Sequence, residues 1–286
     1  STLINLYGKN GDFDKVDEYI NEMRSNNIEL RANFYSTLIN IHQKNGDFDK
    51  VDEYMNEMKL NGIEPDFYTY HILINMYMYG KKCDLNGIEN VFKEMKIKYI
   101  KPSNSMYSIL INACAKNDEY IKVDEYVDEM KSNNIKPNIF IYNTLISIFG
   151  KNGYFDKVEQ YLNEMKSNNI KPDVVTYTTL ISFYGKNGDI QTVKKYIDEM
   201  LSNNIKPNKS TYSALIKAYA KIGNVKKIEK CFKEMKLKNI KPKVFHYNML
   251  INACVKRKKF NKVEKYYKEM KSNNVEPTLR TYNTLI

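Results

Sequence analysis

Two polar positions vary within a sequence phrase that otherwise repeats almost unchanged. The phrase reads IKPDVVTYTTLISFYGKNG over residues 170–188, and related copies fill the chain. The residue after its proline, Asp173, can only accept hydrogen bonds when it is ionised, but in the next copy Asn208 stands there and can also donate. The residue after its tyrosine also changes from copy to copy. Because the rest of the phrase stays fixed by packing, we predict that these two positions face a variable ligand.

The sequence has no pattern of residues typical of a catalytic site. His42, His71 and His246 are isolated, no glycine-rich phosphate loop is present, and no C-x-x-C pair or His/Cys cluster has the spacing of a zinc site. Cys114 and Cys254 lie in matching phrases, NACAK and NACVK, where a free cysteine is typically a small buried apolar residue. The sequence therefore predicts a binding module in a reducing compartment, without enzymatic activity, metal or cofactor.

The composition favours a polyanionic partner. The 286 residues include 45 Lys and Arg against 34 Asp and Glu, which gives a net charge of +11. No run of residues approaches the roughly eighteen apolar residues of a membrane-spanning helix. These observations predict no membrane partner and no small-molecule substrate.

The chain is organised as a repeat array. One tyrosine recurs every 35 residues, with a single step of 37, and the seven prolines and the Glu-Met pairs keep the same register. These tyrosines are Tyr35, Tyr70, Tyr107, Tyr142, Tyr177, Tyr212, Tyr247 and Tyr282. Units of such an array bury their apolar faces against their neighbours. We expect one array of about eight repeats over residues 1–286, clipped in mid-repeat at both ends, with a two-residue insertion in the repeat spanning about 67–103.

Each repeat reads as two helices. The first carries an apolar face, for example Tyr177, Leu180 and Ile181, and ends at an Asn-Gly pair. The second begins after a capping residue such as Asp12 and ends before the proline of the next loop. An all-α fold follows, and the inserted residues, around Lys81 to Asn86, fit in the turn between two helices.

The 35-residue period, the [IV]-x-P-x loop, the x-x-x-Y-x-x-L-I helix and the Glu-Met pair together resemble the pentatricopeptide repeat family, from Ser1 to Ile286. The rival tetratricopeptide repeat has a period of 34 and a tryptophan/Leu-Gly pattern that this tryptophan-free chain lacks. The resemblance implies a right-handed α-solenoid superhelix of stacked helix-turn-helix repeats. It further implies that the first helices line a groove that binds single-stranded RNA.

In this family the residue after the tyrosine and the residue after the loop proline at the end of the same repeat read one base together. On this chain these pairs are Ser1/Arg31, Ser36/Asp66, His71/Ser103, Ser108/Asn138, Asn143/Asp173, Thr178/Asn208, Ser213/Lys243 and Asn248/Thr278. Uracil and guanine present a ring N–H donor, which suits the acceptor-only Asp, whereas adenine and cytosine present a bare ring nitrogen, which suits Asn.

The resemblance assigns bases to four of these pairs. It implies G for Ser36/Asp66, A for Ser108/Asn138, U for Asn143/Asp173 and A for Thr178/Asn208, so the central preference is about G-N-A-U-A. Asn248/Thr278 points weakly to a pyrimidine. Ser1/Arg31, His71/Ser103 and Ser213/Lys243 depart from the common pairs of the family and receive no base.

Two further positions follow from the resemblance. One carries the side chain that sandwiches the base, and here Tyr68, Phe140, Val175 and Phe245 can stack, whereas Asn33, Ser105 and Ser210 are poorer platforms. The other lies in the last turn of the first helix and contacts phosphate; its residues are Lys9, Lys44, Lys116, Lys151, Lys186, Lys221 and Lys256. The alternative for these lysines is a cation that complements the helix C-terminal dipole.

Two functions are compatible with this sequence. The first, implied by the resemblance, is a sequence-specific RNA-binding protein that acts on the processing, stability or translation of transcripts in the mitochondrion or plastid. The second is a structural subunit of a larger ribonucleoprotein, such as an organellar ribosome, or a protein-binding helical-repeat scaffold.

Overall fold

A computed structural model of the protein describes residues 2–26, 28–80 and 82–286, and these residues form seventeen α-helices and no β-strand. They divide into two compact units, residues 1–137 and residues 138–286. None of the helices in the described ranges is long and apolar enough to cross a membrane. The predicted all-α fold of helical repeats is confirmed.

The helices of the two units have nearly uniform lengths. The first unit contains α1 (Thr2–Asn10), α2 (Phe13–Ser25), α3 (Ala32–Asn45), α4 (Phe48–Leu60), α5 (Phe67–Tyr79), α6 (Leu85–Ile97), α7 (Asn104–Lys116) and α8 (Tyr120–Ser132). The second contains α9 (Ile139–Lys151), α10 (Phe155–Ser167), α11 (Val174–Asn187), α12 (Ile190–Ser202), α13 (Lys209–Lys221), α14 (Val225–Leu237), α15 (Val244–Lys256), α16 (Phe260–Ser272) and α17 (Leu279–Leu285).

The odd-numbered helices stack on one another. Within each unit every odd-numbered helix packs against the even-numbered helix that follows it and against the next odd-numbered helix. We call the odd-numbered members first helices and the even-numbered members second helices. At Gly185 the contact is so close that an added Cβ atom would lie 2.6 Å from the Cβ of Ala218 in the next first helix. The apolar face predicted from Tyr177, Leu180 and Ile181 is fully buried in this stack.

The recurring tyrosine and the Glu-Met pair have a structural role. Tyr177 is fully buried, yet its hydroxyl donates to Glu199 at 3.0 Å and accepts from the Asn203 amide at 3.1 Å. Lys166 of the preceding repeat reaches the same carboxylate at 2.6 Å. The tyrosine-to-glutamate bond recurs at Tyr70, Tyr107, Tyr142, Tyr212 and Tyr247. Because a buried hydroxyl without a partner costs about 1–3 kcal/mol, this bond explains why tyrosine and glutamate keep one register.

The turns close the helices with left-handed residues. Gly188, with φ of 89°, ends α11, and Asn204, with φ of 58°, follows α12. Most of the second helices are followed by an asparagine or glycine of this kind, and the loop proline comes three residues later. Five residues separate the end of α5 at Tyr79 from the start of α6 at Leu85, whereas three residues, 152–154, separate α9 from α10. Lys81, in the inserted segment, lies outside the described residues.

A two-repeat fragment that contains only α9 to α12 should be largely unfolded. In the full chain α11 packs against α13 as well as α9, so the fragment would expose an apolar face that the next repeat covers. Circular dichroism of residues 139–202, compared with the whole protein, measures the loss of helix. A fragment as helical as the whole protein would contradict the interdependence of the repeats.

Candidate nucleic-acid interface

Four residues on each first helix from α3 to α15 share one face. Steps of three, four and four residues separate them, which brings them to the same side of a helix. We call this face the recognition stripe; it consists of Phe140, Asn143, Ser147 and Lys151 on α9, Val175, Thr178, Ser182 and Lys186 on α11, Ser210, Ser213, Lys217 and Lys221 on α13, and Phe245, Asn248, Asn252 and Lys256 on α15. In the first unit the stripe starts at Asn33 on α3, Tyr68 on α5 and Ser105 on α7.

The first stripe position presents apolar side chains to solvent. Phe140 is 72% exposed, Val175 52% and Tyr68 49%. A single exposed apolar residue is ordinary, but here the same position is exposed and apolar on three first helices, α5, α9 and α11, which is a surface available to a ligand. Phe245, the fourth residue predicted to stack, is partly buried, and the Lys217 ammonium lies 5.0 Å from the centroid of its ring.

The residues after the loop prolines are the N-caps of the first helices. Asp66, Ser103, Asn138, Asp173 and Asn208 each accept a hydrogen bond from the backbone N–H three residues later. Our sequence reasoning assigned them only to a ligand and missed this structural role. The cap holds each side chain in one orientation at the start of its helix.

Asn143 and Asp173 are brought together by Thr176. The Asn143 amide donates to Asp173 Oδ1 at 3.3 Å, and the Thr176 backbone N–H donates to the same oxygen at 2.9 Å. The Thr176 hydroxyl lies 2.7 Å from Asn143 Oδ1 and 2.9 Å from Asp173 Oδ1, and it accepts from the Asp173 backbone N–H at 3.1 Å. These three bonds to the carboxylate all reach Oδ1, so Oδ2 keeps lone pairs that can accept from a ligand.

Asn208 caps α13 with the same geometry, but it presents a donor where Asp173 presents an acceptor. Its Oδ1 accepts from the backbone N–H and the hydroxyl of Thr211 at 3.0 and 3.1 Å. Because the cap requires an acceptor, the amide nitrogen occupies the place that Oδ2 has in Asp173, and it presents N–H donors there. Asn138 caps α9 in the same way, with Oδ1 3.1 Å from the Ile141 nitrogen. The cap therefore makes Asp an acceptor and Asn a donor toward a ligand.

Burial and hydrogen bonding act in opposite directions on Asp173. Burial would raise the pKa of this carboxyl group, but the bonds from the Thr176 backbone, the Thr176 hydroxyl and the Asn143 amide outweigh it, and the pKa lies below its ordinary value of 3.8. Asp173 is consequently ionised at neutral pH and only accepts hydrogen bonds.

The residue before the tyrosine joins the two variable positions in five repeats, and our sequence reasoning did not identify it. It is Thr69, Thr176, Thr211, His246 or Thr281, and each of them is buried. A signal for it was present, since Asp-x-x-Thr at residues 66–69 and 173–176 has the spacing of a side-chain cap. Phe34, Met106 and Ile141 occupy the same position in the other three repeats and cannot form these bonds.

The other pairs of the second unit are linked through this bridging residue. In the Thr178/Asn208 pair, Thr178 Oγ1 lies 2.7 Å from Thr211 Oγ1, and the Thr211 hydroxyl in turn contacts Asn208. In the Asn248/Thr278 pair, Asn248 accepts from the Thr281 hydroxyl at 2.8 Å, and that hydroxyl lies 3.3 Å from the Thr278 hydroxyl. Ser213 lies 2.9 Å from His246 Nε2, whose Nδ1 accepts from the Lys243 backbone at 2.9 Å.

The pairs of the first unit differ more. Ser36 Oγ lies 3.3 Å from Asp66 Oδ1 and 2.7 Å from Thr69 Oγ1, which repeats the Asp173 arrangement. His71 instead contacts Ser105, at 3.3 Å from Nε2, while Ser103 caps α7.

Two of the predicted pairs, Ser108/Asn138 and Ser1/Arg31, remain predictions. Ser108 belongs to the first unit and Asn138 to the second. Ser1, the partner of Arg31, lies outside the described residues.

All seven lysines of the last-turn position are exposed on first helices: Lys9, Lys44, Lys116, Lys151, Lys186, Lys221 and Lys256. Some also contact the neighbouring repeat. Lys116 lies over the Tyr79 ring at 5.5 Å, and Lys221 donates to the backbone carbonyl of Lys186, which is the helix-end role considered as the alternative.

Family models match most of the chain. The model described as PPR repeat family matches residues 32–79, 137–184, 172–221 and 242–286. The pentatricopeptide repeat domain model matches residues 90–152, and the PPR repeat model matches residues 1–28 and 210–240. No curated protein sequence matches the chain significantly.

Three solved structures are similar to this chain. The pentatricopeptide repeat protein PPR10 from maize is 25% identical over 99% of this chain, with a TM-score of 0.70. PPR10 in complex with an 18-nt psaJ RNA element is 28% identical over 95%, with a TM-score of 0.78. The PPR domain of Arabidopsis thaliana protein-only RNase P 1 in complex with tRNA is 19% identical over 60% of this chain and 90% of that chain, with a TM-score of 0.50, a likeness of fold alone. This chain covers 40% of the length of PPR10.

Proposed function

The chain belongs to the pentatricopeptide repeat family, and on that premise we propose that it binds single-stranded RNA along its recognition stripes, with one nucleotide per repeat. The observation that carries the proposal is the orientation of the capping side chains: Asp173 presents an acceptor and Asn208 a donor at the same place in successive repeats. Such alternation is what reading of base edges requires. The solved complex of PPR10, 28% identical to this chain, with an 18-nt RNA element supports RNA as the ligand.

The preferred RNA contains G-N-A-U-A. The acceptor side chains Asp66 and Asp173 pair with the ring N–H of guanine and uracil, and the donor side chains Asn138 and Asn208 pair with the ring nitrogen of adenine. Tyr68, Phe140 and Val175 stack on the bases, and the last-turn lysines neutralise phosphates. The bound protein acts without catalysis on transcripts of the mitochondrion or plastid, in their processing, stability or translation.

Crosslinking in cells, followed by sequencing of the bound RNA, tests this function. We expect one short enriched motif that contains G-N-A-U-A. Footprints confined to ribosomal RNA would support a structural subunit of a ribonucleoprotein instead, and recovery of protein partners without RNA would support a protein-binding scaffold. Binding of the purified protein to synthetic RNA with and without the motif gives an independent measure.

Replacing Thr176 with Val should weaken the preference for U at the Asn143/Asp173 repeat several-fold. The variant keeps the backbone cap of α11 but loses the hydroxyl that joins Asn143 to Asp173, so both side chains lose their defined orientation. Affinities for RNA with U or C at that nucleotide measure the effect. Thr192→Val is the matched control, because Thr192 bonds the cap residue Asp189 in the same way on the second helix α12. If both variants left the preference unchanged, the hydroxyl bridge would have no part in recognition.

A further inference from the structure

Three lysines meet at one repeat of the second unit. Lys209 is the first residue of α13, Lys217 lies on the recognition stripe of the same helix, and Lys243 is the N-cap of α15. The preceding repeat has the uncharged residues Val174, Ser182 and Asn208 at these positions. The base assignment from the family pairs left this repeat, Ser213/Lys243, without a base.

The charges of all three lysines act on His246, and Lys217 Nζ lies 5.0 Å from the ring of Phe245, whose centroid is 5.4 Å from that of the His246 ring. Burial, together with the nearby charges of Lys209, Lys243 and Lys217, lowers the pKa of His246 to about 4, although the bond to the Lys243 backbone acts in the opposite direction. The close approach of Lys243 also lowers the pKa of Lys209. None of the ion pairs in residues 2–26, 28–80 and 82–286 involves any of these three lysines. An arrangement of like charges such as this is stabilised by a bound anion.

The side chain that would read a base in this repeat is already occupied. His246 is neutral at pH 7, and its Nδ1 accepts from the Lys243 backbone N–H, so Nε2 carries the proton and donates to Ser213 Oγ at 2.9 Å. The Ser213 hydroxyl donates in turn to the Lys209 carbonyl at 2.8 Å. Ser213 has no donor left for a base edge.

The stacking surfaces of this repeat are also poor. The platform before the base is Ser210, which has no ring, and the platform after it is Phe245, which Lys217 approaches to 5.0 Å. An ammonium group over an aromatic ring is attracted by the ring electrons, so Lys217 competes with a base for that ring.

We propose that the Ser213/Lys243 repeat binds a backbone phosphate of the RNA through Lys209, Lys217 and Lys243 and reads no base. This inference rests on the proposed function, because it places RNA in the groove. The repeat then acts as a sequence-independent anchor at the nucleotide that follows A-U-A. Lysine ammonium groups are suited to this task, since they bind phosphate as point charges and tolerate any base.

Chemically modified RNA tests the inference with the unaltered protein. In the sequence G-N-A-U-A-N-Y the sixth nucleotide faces this repeat. An abasic sixth nucleotide should weaken binding less than twofold, whereas a methylphosphonate at one of the two linkages that flank it should weaken binding roughly fivefold at 0.1 M salt. An abasic fourth nucleotide, opposite Asn143/Asp173, is the internal control and should weaken binding roughly tenfold or more.

The variant Lys209→Gln, Lys217→Gln, Lys243→Gln should bind the methylphosphonate RNA and the natural RNA equally well. Its matched control changes Lys226, Lys227 and Lys233 on the second helix α14 to Gln, which removes the same charge and should keep the roughly fivefold difference. Two results would overturn this inference and leave the proposed RNA binding intact. One is an equal loss of affinity with an abasic sixth nucleotide and with an abasic fourth nucleotide. The other is unchanged affinity of the unaltered protein for both methylphosphonate RNAs. Failure of every RNA to bind would overturn the proposed function with it.

Discussion

Replacing Asp173 with Asn should change the preferred base opposite its repeat from U to C. An Asn at this N-cap still accepts the Thr176 backbone N–H through Oδ1, so its amide nitrogen takes the place of Oδ2 and donates where the carboxylate accepted. Cytosine offers a ring nitrogen that accepts this bond, whereas uracil offers an N–H that would meet another donor. By analogy with direct reading of base edges, the preference should change by about 1–3 kcal/mol.

Binding to RNA with U or C at this single nucleotide measures the change. The matched control is Asp189→Asn, which alters an N-cap of the same kind on the second helix α12 and should leave base preference unchanged. Both variants should remain as helical as the parent protein. An Asp173→Asn protein that discriminates between U and C as the parent does would show that this pair does not read the base.

The preference for U at the Asn143/Asp173 repeat should not depend on pH. The folded-state pKa of Asp173 lies below 3.8, so the carboxylate is ionised throughout pH 5 to 8. Its contribution to stability is complete above the unfolded pKa and is lost only as the pH falls through the lowered folded pKa. The U preference should therefore be equal at pH 8 and pH 5.

The repeat fold could be predicted because its signature residues are structural. The tyrosine and the Glu-Met pair recur because Tyr177 bonds Glu199 within one repeat and Lys166 reaches that glutamate from the preceding one. Contacts of this kind depend on residues at constant separations of 22 and 33 positions, so they leave a periodic pattern in the sequence. Apolar periodicity then places the helices, since each stripe of buried residues follows from helix geometry.

The candidate site could be predicted only in part. The variable positions Asn143 and Asp173 stand out against a constant frame, but for Thr176, which joins them, the sequence indicates only the cap spacing to Asp173 and not the bond to Asn143. Its hydroxyl reaches Asn143 across a separation of 33 residues, which exists only after two first helices stack. The approach of Lys217 to Phe245 depends on the same stacking. Hydrogen bonds within one turn can be inferred from the sequence. Hydrogen bonds between stacked repeats can be predicted only when the distance between the stacked helices is known.

Changing Lys151, Lys186 and Lys221 together to Ala should weaken binding of every single-stranded RNA roughly a hundredfold at 0.1 M salt. The three lysines are exposed in the last turns of α9, α11 and α13, and each phosphate contact contributes a slope of about −0.7 to the dependence of log affinity on log salt. The slope of the parent protein should lie at about −3 to −5 in total, and the variant should be less steep by about 2.

The salt dependence of the affinity also distinguishes the two roles of these lysines, phosphate contact and stabilisation of the helix ends. Lys221 also donates to the Lys186 carbonyl, so a modest loss of stability, about 0.3–1 kcal/mol for each helix end, is expected in either role. A phosphate role lowers the salt slope and leaves the ratio of affinities for U and C at the Asn143/Asp173 repeat unchanged, since phosphate contacts carry no sequence information. The control variant Lys226→Ala, Lys227→Ala, Lys233→Ala removes the same charge from the second helix α14 and should keep the parent slope. A slope that stays at the parent value in the first variant, with only the melting temperature lowered, would assign these lysines to the helix ends, and the phosphates would have to meet other cations of the stripe.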